Sequence, residues 1–94
     1  MNRITRKDLQ AVVDRLNRLV GASLEAYVKE GDKYAAQIGN FHISGAYGGV
    51  ALHRMVNKSG GVSDVFSRGH MPTRELYELI HAYIRGFELA SERA

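Results

Sequence analysis

The stretch Gly45-Ala46-Tyr47-Gly48-Gly49, followed five residues on by Arg54, is where this chain could do chemistry. Glycines let a ligand come close to the backbone, and unpaired N–H groups at a helix start attract an anion. Read this way, Tyr47, Gly48, Gly49 and Arg54 form a candidate ligand site: the ring stacks or hydrogen-bonds and the guanidinium adds charge. A phosphate-bearing nucleotide fits that chemistry. The turn holds no Walker-type lysine, and its spacing matches neither the dinucleotide fingerprint nor the P-loop. The same glycines also serve a tight strand-to-helix connection, so both readings stay open.

Other chemistry finds little support. The chain has no cysteine, which removes disulfides, thiolate metal sites and cysteine nucleophiles. His42, His53, His70 and His81 make no HxxxH or HExxH pair, so a metal site would have to assemble from distant segments and none is expected. His42 is expected on an exposed sheet face and His53 on the side of a helix. Ser44, Ser59, Ser63 and Ser67 lie in no G-x-S-x-G elbow. Asp64 and the later glutamates form no evident acid/base couple. These residues point to a protein that is not an enzyme and carries no cofactor. An alternative is nucleic-acid binding by Lys29 and Lys33, with Tyr27 and His42 on a shared sheet face.

The totals set bounds. With 94 residues and 45% hydrophobic content the chain reads as one domain, 1–94, with a packed core. A net charge of +3 permits an anionic partner without requiring one. The opening Met1-Asn2-Arg3-Ile4-Thr5-Arg6-Lys7-Asp8 lacks the apolar core of a signal peptide, and no apolar run approaches a membrane span. A cytoplasmic location is expected.

The elements that would position these residues give an α+β class. Thr5 to Val20 reads as a helix, with Thr5 and Asp8 as a capping box and Gly21 as its stop. Leu9, Val12, Val13, Leu16 and Leu19 make its apolar stripe, and Asn17 falls on the polar side. Leu24–Lys29 and Tyr34–Ile38 alternate as strands around a turn at residues 30–33, with Leu24, Ala26 and Val28, then Tyr34, Ala36 and Ile38, inward. Phe41 and Ile43 extend this into a short antiparallel meander of two or three strands. A central short helix is predicted from Val50 to Lys58, then one helical turn begun by Ser63 that carries Val65 and Phe66. Pro72 opens a long C-terminal helix over Thr73–Arg93, striped by Leu76, Leu79, Ile80, Tyr83, Phe87 and Ala90. Tyr77 and Ile84 widen that stripe, enough to suggest a homo-oligomer through this helix.

Taken together, Ile38-Gly39-Asn40-Phe41-His42, Gly45-Ala46-Tyr47-Gly48-Gly49, Leu52-His53-Arg54-Met55, Gly60-Gly61-Val62 and Arg74-Glu75-Leu76-Tyr77 resemble a set of small uncharacterised accessory proteins of tailed bacteriophages. The likeness covers most of the chain, and Gly-Ala-Tyr-Gly-Gly is its most specific part. Val50 departs from it, standing where the family carries an aromatic. The resemblance implies a product made in the host cytoplasm during infection. It implies action by binding: to a host protein, such as a defence component, or as a sponge for a nucleotide signal.

Overall fold

The computed structural model describes residues 3–93. Met1 and Asn2 of the opening segment, and Ala94, the last residue of the expected domain 1–94, lie outside the described residues. The class is α+β, with α1 (Arg6–Val20), β1 (Tyr27–Glu30), β2 (Lys33–Ala36), β3 (Phe41–Ala46), β4 (Gly49–Met55), β5 (Val62–Asp64) and α2 (Thr73–Arg93). Strands β1 and β2 form a hairpin of their own, and β3-β4-β5 form a second antiparallel sheet with β4 in the centre. No helix among the described residues is long and apolar enough to cross a membrane.

The first helix starts and stops as its sequence dictates. The Thr5 hydroxyl accepts from Asp8 N–H at 3.1 Å, and an Asp8 carboxylate oxygen accepts from Thr5 N–H at 2.9 Å. Those bonds favour the charged carboxylate and hold the Asp8 pKa below its ordinary value. Gly21 ends the helix in the left-handed region, φ 72°, where a side chain is strained.

Two expected helical segments are strands. Val50–Lys58 is not a helix, because Gly49–Met55 is β4, the central strand. Its pattern misleads because Val50, Ala51 and Leu52 are buried in succession, although Ala51 and Leu52 point to opposite faces. Likewise the turn expected from Ser63 is β5, paired to β4 with His53 opposite Asp64 and Met55 opposite Val62. The chain then loops back, and the Met71 backbone bonds both ways with Val50 at 2.8 Å.

Both helices lie on one face of the β3-β4-β5 sheet. Helix α1 packs on β3, α2 on β4, and the helices on each other. Leu9, Val13, Leu16, Phe41, Leu52, Leu76 and Ile80 fill the space between. Ile84 belongs to this core at 1% exposure, so it is not available to a second subunit. Tyr77 is half-buried against the core and meets the His81 ring edge-on at 4.6 Å. The inward set expected for the first two strands is also revised, since Leu24, Tyr34 and Ile38 are exposed.

Asn17 departs most from the stripe that places it on the polar side: it is fully buried. Its Nδ2 donates to Phe41 O at 2.9 Å, and its Oδ1 accepts from Phe41 N–H at 2.8 Å. The side chain thus serves both main-chain groups that Phe41 turns away from β4. Replacing Asn17 with Ala orphans two buried backbone groups, a loss of about 2–4 kcal/mol. Asn17→Asp is expected to be worse, because it sets a carboxylate oxygen against the Phe41 carbonyl. Urea denaturation of both variants checks this, and near-native midpoints would contradict it.

Candidate functional site: the histidine face

The opposite face of the sheet carries neither helix. Antiparallel register fixes what it displays, because directly paired residues share a face. His42 pairs with His53, Ser44 with Ala51 and Ala46 with Gly49, while Phe41, Ile43, Val50 and Leu52 point to the helices. His70 comes over from the loop after β5, where Ser44 Oγ lies 3.1 Å from its Nε2.

The rings form an unbroken row. Tyr47 meets His70 at 6.0 Å between centroids, His70 meets His53 at 6.1 Å, and His53 meets His42 at 6.0 Å, each edge to face. At the far end of the row, Asn40 is fully buried. Its Nδ2 donates to Ser23 O at 2.7 Å, which turns its Oδ1 toward His42 Nδ1 at 3.0 Å. An oxygen can only accept there, so His42 carries its proton on Nδ1 and leaves Nε2 as the free acceptor. Asp64, opposite His53 on β5, accepts from Gly69 N–H at 2.8 Å and so shapes the loop that brings His70 in. Its other oxygen, Oδ1, is buried without a hydrogen-bond partner.

The glycine stretch does something other than cradle an anion. Tyr47 (φ 54°) and Gly48 (φ 75°) are both left-handed, as in a two-residue type I′ hairpin turn. Gly48 supplies the dihedral angle. Gly49 supplies room, since a Cβ there would lie 2.9 Å from Met71 O. No helix follows, so the helix-start N–H groups that motivated an anion site are absent from this turn.

Nor do the four expected ligand residues converge. Tyr47, Gly48 and Gly49 sit at the hairpin tip. Arg54 lies five residues along β4, some 17 Å away at the usual strand rise of about 3.4 Å. It also faces the other way: its guanidinium covers the Phe41 ring at 4.7 Å, and its Nε donates to Gly39 O at 3.2 Å. Lys29 and Lys33 belong to the separate β1–β2 hairpin. Lys29 pairs with Tyr34 and Lys33 with Glu30, so the two lysines take opposite faces and share none with His42.

His42 lies on a sheet face as expected, whereas His53 is on a strand and not a helix, and the grouping of both with His70 escapes sequence reasoning because it exists only through register and a returning loop. One signal was present: a two-residue turn at Tyr47-Gly48 sets His42 opposite His53. Among the described residues no group of three His, Asp or Glu side chains is arranged to hold a metal ion. The Ser44–His70 contact pairs a hydroxyl with an imidazole, but among the described residues nothing is hydrogen-bonded to His70 Nδ1 to orient it as a base. No family model, no curated protein and no solved structure matches the chain.

Tyr47 has a cost and little internal return. Its side chain is 99% exposed, and a left-handed non-glycine residue is disfavoured by about 1–2 kcal/mol. Tyr47→Asn makes the favoured Asn-Gly turn and is expected to stabilise the protein by about 1 kcal/mol in thermal unfolding; destabilisation would contradict this account of the turn.

The row also makes stability depend on pH. Burial, and then the neighbouring His53, hold the His42 pKa below its usual 6.5. The unfolded chain therefore takes up this proton before the folded one does. Stability is full above pH 6.5 and is lost as pH falls from there toward the lowered folded value. In His42→Gln this part of the pH dependence is expected to vanish. An unchanged profile would show that it arises elsewhere.

Proposed function

We propose that this protein acts by binding rather than by catalysis, and that the histidine face is its recognition surface. The observation that carries this reading is Tyr47: fully exposed, left-handed, and edge to face with His70. A residue that weakens its own turn and covers no core is explained by something outside the chain. The face behind it is preformed, because Asn40, Ser44 and the β3–β4 register hold the rings in place before any partner arrives.

The resemblance to tailed-phage accessory proteins supports a partner in the infected bacterium, including a component of a host defence system that this protein would block. A nucleotide sponge built on Tyr47, Gly48, Gly49 and Arg54 is the weaker reading, because those residues lie on different ends and faces of the hairpin.

Affinity capture from bacterial cytosol tests the reading, with wild type and Tyr47→Ala compared side by side. Tyr47 is solvent-exposed, so its truncation leaves the fold intact. The expected result is a component retained by wild type and depleted by the variant. Equal retention by both, or nothing retained by either, would remove the histidine face as the recognition surface.

A further inference from the structure

The chemistry of this face selects among partners. We propose that it binds single-stranded nucleic acid, with bases stacking on the row Tyr47, His70, His53 and His42; this rests on the histidine face being the recognition surface.

The first argument is the row itself. Flat rings are what unpaired bases bind, since every base offers a π-face whatever its sequence. Four rings follow one another at about 6 Å, each edge to face with the next, so the row is longer than a pocket for one base. The pitch is close to twice the roughly 3.4 Å rise of a stacked strand, which an extended single strand can follow. A duplex hides the faces of its bases and gains nothing from such a row.

The second argument is polar and electrostatic. Ser44 and the free Nε2 of His42 supply hydrogen-bonding groups along the track. Arg68 is exposed in the loop that brings in His70. The carboxylate placed on the face by register, Asp64, has one oxygen bonded to Gly69 N–H and the other buried; a carboxylate there opposes a phosphate, so the rings carry more of the binding than charge does. The net charge of +3 favours the same partner. An acidic protein surface would seek cations, and here the centre of the face is rings, with Arg68 in the adjoining loop.

The test is fluorescence anisotropy with a labelled oligothymidylate of about 12 nucleotides and a duplex of equal length. The expected result is binding of the single strand in preference to the duplex, weaker at about 200 mM salt than at about 50 mM. Tyr47→Ala should weaken it about 5- to 150-fold, the loss of one stacked base. Tyr47→Phe, which keeps the ring, should restore most of it. Lys29→Ala with Lys33→Ala should leave it unchanged.

No binding, preference for the duplex, or indifference to Tyr47→Ala would overturn the proposal. So would dependence on Lys29 and Lys33, which would move the contact to the other hairpin. Nuclease treatment separates this proposal from the broader one. If a captured component depends on Tyr47 but survives nuclease, the face is a recognition surface and the nucleic-acid assignment is wrong. If capture and oligonucleotide binding both ignore Tyr47, both readings fail together.

Discussion

The structure hangs on an asparagine that imitates a strand. Asn17 comes from a helix, yet its amide bonds both the N–H and the C=O of Phe41, as a neighbouring strand would. Phe41 opens β3 at the sheet's edge, where its main chain is buried and out of reach of water. Without the amide those two groups would each carry a desolvation penalty. With it, α1 is locked to the start of β3, and Phe41 is locked facing the helices. Strand alternation does the rest: if Phe41 faces inward, His42 faces out. A slip of one residue would bury the histidines and expose Phe41 and Ile43.

Asn40 carries the same logic onto the other face. It is buried, one residue before β3, and its main chain joins the adjoining turns: its N–H donates to Gln37 O and its carbonyl accepts from Met55 N–H. Its side chain then spans from Ser23 to His42. The hairpin is thus pinned at its open end by two buried amides and closed at its tip by a strained Tyr-Gly turn. Rigidity lies where the sheet meets the body. Exposure and strain lie where a partner would arrive first. That distribution suits a binding surface: it limits the ordering that association requires and leaves one aromatic projecting.

The helices were legible in the sequence because their signals are local. Thr5 and Asp8 cap α1, Gly21 stops it, Pro72 precedes α2, and each helix shows its stripe. β4 was not legible, because three successive buried residues, Val50, Ala51 and Leu52, hide its two-residue alternation and read as a short helix. A helix at this position would offer N–H groups to an anion beside Arg54; in the strand, Arg54 lies far along β4 from the hairpin tip. Asn17 and Asn40 were also illegible: polarity places them outside, and only the bonds they make explain their burial. On the histidine face, the Tyr47-Gly48 turn could have set His42 opposite His53, but the loop that returns His70 to Ser44 has no sequence signal. Tyr47 stands exposed at a hairpin tip and not in a turn that leads into a helix.

The most direct measurement is a two-dimensional NMR titration of the isotope-labelled protein with an oligothymidylate. Backbone amides and histidine ring protons report each face separately. The account predicts shifts concentrated at Tyr47, His70, His53 and His42, with β1, β2 and the exposed side of α2 undisturbed. Shifts centred on Lys29 and Lys33, or on the groove of about 290 Å³ formed by Tyr83, Gly86, Phe87 and Ala90 on α2, would place recognition elsewhere and contradict it.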